Sequence, residues 1–141
     1  MGTTTLPTTL KCISLWQPWA SLITDGRKQI ETRHWPAPAW LIGAELAIHA
    51  TKYVDRCMCA SWGYSADSIP RGAVLGIVRL DKCERFTQDF YKEIMLYQEG
   101  RYGDFTPGRF GWFLTLVRKF DKPFPQKGAQ GIFNWEVPGG Q

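Results

Sequence analysis

The chain has 141 residues, with 17 Lys plus Arg, 13 Asp plus Glu and a formal net charge of +4. That length fits one domain, since ~100–200 residues is usual, and 44% hydrophobic with 21% charged residues excludes a disordered or fibrous chain. No apolar run reaches the ~18 residues of a membrane-spanning helix, so no membrane partner is expected.

Residues 1–9 are rich in Thr, with neither a basic start nor an apolar stretch. They read as a flexible lead and not as a signal peptide, and a cytoplasmic location is expected. A single domain is expected over 10–138. Residues 11–16 form a short strand. Pro18 suits a first helical turn, because its missing N–H has no partner there anyway. Trp19, Leu22 and Ile23 then share a helix face, and Gly26 ends it. Residues 29–33 alternate as a strand, with Ile30 and Thr32 on one face and Gln29, Glu31 and Arg33 on the other. A Trp/Pro loop over 35–40 leads to a strand over 45–49.

Thr51 is the expected cap of a helix reaching about Ser61, with Val54, Cys57 and Met58 inward and Gly63 as its stop. A polar loop over 65–72 leads to an apolar strand over 73–80. Thr87 opens another helix, on which Phe90, Ile94 and Tyr97 share a face. Residues 100–111 read as an exposed basic loop. Residues 112–120 alternate, 121–128 form a Pro-rich crossing loop, and 132–137 are a last strand. Short strands without regular intervening helices exclude a doubly wound sheet. They predict a small mixed α+β barrel with two or three short helices.

Cys12, Cys57, Cys59 and Cys83 show neither zinc-ligand nor redox spacing. They are expected to be reduced, mostly buried thiols, and neither a metal nor another cofactor is expected. Seven Trp are many for a small domain. They serve either as core or as stacking surface for bases.

The informative stretch is ISLWQPWASLI at 13–23, followed by GRK at 26–28, IETR at 30–33 and Trp35. It delivers Lys28, Glu31 and Arg33 within six residues. IHA at 48–50, GAVLGIV at 72–78, FGWFL at 110–114, KG at 127–128 and GIF at 131–133 continue the order. This order resembles the ASCH family, named for homology to an activating signal cointegrator, over residues 11–137. The resemblance implies a PUA-like fold, a mostly antiparallel small barrel with helices closing its openings. It also implies RNA or modified nucleosides as partners. Some small relatives resemble amidohydrolases that deacetylate N4-acetylcytidine, and one subgroup is linked to ribonuclease activity.

Lys28, Glu31 and Arg33 are the candidate catalytic residues. Lys28, expected at the barrel mouth, can grip phosphate or activate water if its pKa falls. Glu31 can accept from a cytosine amino group, and Arg33 can hold a phosphate or a carbonyl. Equally, Glu31 and Arg33 can satisfy each other as an i, i+2 ion pair. Alternation places Lys28 opposite Glu31 unless Lys28 lies in the turn. Candidate substrate-binding residues are Gln17, Trp16, Trp19, Ser14, Trp35 and His49. Gln17 can hydrogen-bond a base edge or cap the helix at Pro18.

In the deacetylating relatives, as the resemblance implies, the motif is Lys-x-x-Thr with a separate later Glu. Here Glu31 stands at the Thr position and Thr32 follows one residue late. Glu84 and Glu93 are the candidates for the later Glu. Arg101, Arg109, Arg118, Lys119, Lys122 and Lys127 form a candidate phosphate track. Three readings stay open: a hydrolase of an N4-acylated cytidine, a non-catalytic RNA or modified-base reader that regulates transcription or translation, and a small ribonuclease.

Overall fold

The computed structural model describes residues 8–139. Six strands form one sheet: β1 (Thr9–Gln17), β2 (Ile30–Arg33), β3 (Glu45–Val54), β4 (Ala73–Arg85), β5 (Phe110–Pro125) and β6 (Ile132–Glu136). Three short helices accompany it: α1 (Trp19–Thr24), α2 (Arg56–Trp62) and α3 (Gln88–Ile94). The strand order is β2-β5-β4-β3-β1-β6. Only β1 and β3 run parallel, and every other neighbouring pair is antiparallel.

The sheet curls back on itself. In a flat sheet β1 would lie four strand spacings from β2, or about 19 Å at ~4.8 Å each. Yet the Arg33 side chain on β2 donates to the Ser14 carbonyl on β1 at 3.2 Å. A barrel-like coil brings these strands together, although no backbone ladder joins them among the described residues.

Its interior holds the main core. Ile13 and Leu15 of β1, Leu46 and Ile48 of β3, Leu75, Val78 and Leu80 of β4 and Trp112 of β5 pack with Ala20 and Ile23 of α1. A buried Trp removes ~150–250 Å² from water, roughly 4–6 kcal/mol of gross stabilisation at ~25 cal/mol per Å². Leu10, Cys12, Ala47, Val74, Ile77, Phe120 and Trp135 form a second cluster. Adjacent residues of β1 and β4 thus feed different clusters, as a period of two requires. In β4 this alternation changes phase near Gly76. Leu75 and Val78 face the main core, whereas Val74 and Ile77 face the second. The ladder to β5 shifts register on both sides of that glycine, the signature of a bulge.

Several boundaries differ from those expected. The lead over 1–9 lies outside the described residues up to 7, but Thr9 already pairs with Glu136. The helix expected from Thr51 starts four residues later. Residues 51–54 continue β3, and the Asp55 carboxylate caps α2 by accepting from the Met58 amide at 3.0 Å. This turns Cys57 outward and buries Cys59. Gly63 ends α2 in the left-handed region, as expected. Thr87 caps α3 through the Phe90 amide, but Tyr97 lies beyond that helix and is exposed. Residues 121–125 are strand, because Phe124 and Pro125 pair with Val74 and Ala73. The loop over 100–111 is not merely exposed, since Gly100, Tyr102 and Phe105 are buried.

Gly76 has no room for a side chain. A Cβ there would lie 2.4 Å from the Arg118 carbonyl oxygen and 3.3 Å from the Lys119 Cα. Gly76→Ala is expected to destabilise the fold by about 1–3 kcal/mol. A urea-unfolding midpoint identical to that of the parent protein would contradict this packing.

Candidate functional site

Lys28 occupies the turn between α1 and β2. Gly26, at a positive φ of 78°, reverses the chain, and the Lys28 amide donates to the Leu22 carbonyl at 2.9 Å. The side chain then points inward and is only 2% exposed. Lys28 was expected at the barrel mouth; its side chain is buried there and not open to solvent. Its ammonium donates to the Ile30 carbonyl at 2.5 Å and to the Tyr102 carbonyl at 2.6 Å. Glu31 Oε1 lies 3.7 Å away. Lying in the turn lets Lys28 reach the side of β2 that carries Glu31.

Glu31 also accepts from Arg33 Nε at 2.9 Å, so the i, i+2 ion pair forms. Arg33 reaches the Ser14 carbonyl and passes 5.9 Å from the Trp35 ring centre. Ser14 Oγ lies 2.9 Å from His49 Nδ1, and His49 Nε2 lies 2.6 Å from the Gln126 carbonyl oxygen. A carbonyl only accepts, so Nε2 carries the hydrogen and Nδ1 accepts from the serine hydroxyl. Lys28, Glu31, Arg33, Ser14 and His49 thereby form one continuous polar chain across the barrel end.

Above Lys28 lies a cleft of about 340 Å³ lined by Trp19, Glu31, Thr32, Arg101, Tyr102, Gly103 and Asp104. Its walls come from the start of α1, from β2 and from residues 101–104, at and after a 3-10 turn at Gln98–Arg101. The Asp104 amide donates to Thr32 Oγ1 at 3.0 Å. Gly103 must lack a side chain, since a Cβ would meet Thr32 at 2.8 Å and Lys28 Nζ at 3.4 Å.

The remaining candidates separate. Gln17 is fully buried, and its amide group is used up on Ser21 and Pro70. It holds the first turn of α1 and offers nothing to a base edge. The Trp35 ring packs edge-on against Trp112. Trp16 is exposed and its ring packs at a tilt against Tyr53. Neither Glu84 nor Glu93 joins the polar chain: Glu84 pairs with Lys82 at 3.2 Å, and both are exposed. Glu99, which sequence reasoning missed, does reach β2. Its carboxylate accepts from the Gln29 and Ile30 amides at 3.0–3.1 Å. No local spacing signals a contact spanning that much chain.

The expected basic track divides as well. Arg101 lines the cleft, Arg109 lies beside Asp104, and Arg118, Lys119 and Lys122 line a separate groove along β5. Among the described residues, no group of three or more His, Cys, Asp or Glu is placed to hold a metal ion. No described helix is long and apolar enough to cross a membrane.

The ASCH domain model matches residues 13–124. The chain belongs to the ASCH domain family. The crystal structure of an ASCH protein from Zymomonas mobilis is similar at a TM-score of 0.57 and 19% identity, covering 92% of this chain and 87% of that one. A Tyr-to-Phe variant of that protein aligns at a TM-score of 0.52 and a Ser-to-Ala variant at 0.51, each 22% identical. These cover 81% of this chain and 73% and 72% of theirs. At such identities the likeness establishes a shared fold alone. No curated protein sequence matches the chain significantly.

Electrostatics distinguish the polar groups of this ASCH domain. Burial holds the Lys28 ammonium below the ordinary lysine range, opposed by Glu31 and Glu99 and assisted by Arg33. Burial likewise lowers His49, opposed by its bond to the Gln126 carbonyl. Burial pushes the Cys12 thiol up to about 12, so it stays protonated and unreactive.

The lowered His49 value makes stability pH-dependent. The unfolded imidazole titrates near 6.5 and the folded one below it. Between the two, the unfolded chain binds more protons, so stability rises with pH across that window. The contribution is complete above about 6.5 and is lost as pH falls through the folded value. Urea midpoints measured from pH 8 to 5 are expected to fall on the acid side, with part of that slope absent in His49→Gln. Equal acid slopes in the two proteins would refute the assignment.

Proposed function

We propose that this ASCH domain is an RNA reader that takes an unstacked nucleobase into the cleft between Trp19, Glu31 and Gly103. Most sequence-specific RNA recognition uses splayed-out bases, stacked on aromatic rings and hydrogen-bonded at their edges. The cleft supplies both means. Trp19, half-buried against the main core, lines the cleft and would stack the base on the part of its ring left there, and Glu31 would accept from the exocyclic amino group of cytosine or adenine. Arg101 at the rim can meet a flanking phosphate. A volume of about 340 Å³ lies at the small end of the ~300–1,000 Å³ usual for ligand sites, and suits one base or nucleoside.

The observation that carries the non-catalytic reading is the state of Lys28. Its ammonium donates to two backbone carbonyls, lies 3.7 Å from the Glu31 carboxylate and is 2% exposed. A lysine so committed supports the cleft and cannot easily reach a substrate amide or a water. Hydrolysis of an N4-acylated cytidine is the second reading. It draws on the lowered pKa of Lys28 and on the Glu31 carboxylate 3.7 Å away, which would serve as an acid–base pair. Cleavage of RNA by Lys28 and Arg33 has weaker support, since Arg33 is engaged by Glu31 and the Ser14 carbonyl.

One set of assays separates these readings. The reader should bind a short cytidine-containing RNA, release no cytidine from N4-acetylcytidine and leave unmodified RNA intact. Trp19→Ala should weaken binding about tenfold or more, as loss of a base-stacking aromatic worth ~1–3 kcal/mol implies. Turnover of N4-acetylcytidine that disappears in Glu31→Gln would replace the reader with the hydrolase.

A further inference from the structure

Two aromatic residues outside the cleft are more than half exposed and touch each other. Trp16 is 53% exposed and Tyr53 is 55% exposed. They sit near the ends of β1 and β3, the parallel pair whose register joins Gln17 to Val54. Their ring centres lie 4.1 Å apart at an interplanar angle of 38°. Neither ring belongs to a core cluster. Large aromatic faces left in water in contact with one another form a ready stacking surface.

The surroundings give this surface a charge. Strand alternation puts Trp16 on the same side of β1 as Ser14. The strap over 126–128 crosses there, since a Cβ on Gly128 would stand 3.1 Å from Ser14 Oγ and 2.8 Å from His49 Cε1. That strap carries exposed Lys127. Lys52, the residue before Tyr53 in β3, is also exposed, and its stem runs beside Gly72, whose carbonyl accepts from the Gln126 amide at 3.0 Å. Among the described residues, neither Lys52 nor Lys127 makes an ion pair. Aromatic faces beside uncompensated cations are complementary to bases joined by phosphates. Trp16 is also only three residues from Trp19, so their Cα atoms are at most ~11 Å apart. That bound corresponds to at most about three nucleotides of a stacked strand at ~3.4 Å each.

We propose that Trp16 and Tyr53 form a second base-stacking platform for single-stranded RNA, with Lys52 and Lys127 meeting its phosphates, so that the domain grips an oligonucleotide strand and not a free nucleoside. The strand would pass from the cleft at Trp19 onto this platform. In that respect the inference rests on the cleft reading above.

The test compares two probes on the full chain, a fluorescein-labelled hexamer of cytidine-containing RNA and free cytidine. Trp16→Ala and Tyr53→Ala should each weaken the hexamer about tenfold and leave cytidine binding unchanged. Both side chains are exposed, and an unchanged urea midpoint verifies folding. Trp19→Ala serves as the cleft control. If Trp16→Ala weakens the hexamer and Trp19→Ala does not, the platform stands and the cleft reading fails. Hexamer binding that is absent, or unaffected by both platform variants, overturns the platform whatever the cleft does. The same holds if those variants instead dissolve a dimer seen by sedimentation, because the surface would then be a protein interface.

Discussion

A lysine ammonium removed from water loses several kcal/mol of hydration, and only well-placed acceptors offset that loss. Lys28 has them in two backbone carbonyls and a carboxylate. One carbonyl belongs to β2 and the other to Tyr102, on the segment after α3. The charge therefore ties two remote parts of the chain together. The Tyr102 segment stays against β2 because detaching it would leave a buried cation short of partners. Glu99 adds to the tie from the same segment by accepting from the amides of Gln29 and Ile30 at the start of β2. Gly103 permits the close approach, since any Cβ would strike Thr32.

The rest of the site is arranged around that tie. Glu31 is shared between Lys28 and Arg33, and Arg33 carries the connection across the curled sheet to Ser14. His49 extends it to the strap at Gln126. A barrel-like sheet is needed for this, because a flat one would leave β2 and β1 too far apart for an arginine to bridge. The bulge at Gly76 lets β4 serve both hydrophobic clusters within one strand. Core packing and polar chain thus depend on the same curvature.

What could be read beforehand was local. The order strand, Gln-Pro, helix, Gly, Lys-x-x-Glu-x-Arg pointed to the ASCH fold, and i, i+2 spacing on β2 gave the Glu31–Arg33 pair. Trp112 and Trp135 lie on expected strands and are buried in the core. What stayed hidden was long-range. Lys28 is buried because Tyr102, 74 residues away, covers it, and no pattern near either residue announces this. Glu84 and Glu93 were the candidates and Glu99 was missed, since a carboxylate's partner is set by tertiary placement. The start of α2 was misread because Thr51 and Asp55 are both good caps. Pairing of Gln17 with Val54 keeps the intervening residues in β3.

The central claim is that Lys28 holds the 98–104 segment against β2 and so builds the cleft. Amide hydrogen exchange in the parent protein and in Lys28→Met tests this most directly. Opening confined to one segment speeds exchange there and spares the cooperative core. The expected result is faster exchange at Tyr102 and Asp104 in the variant, with protection retained at Ile48, Ile77 and other ladder amides. Equal protection of Asp104 in both proteins would contradict the account, because the segment would then be held by something other than Lys28.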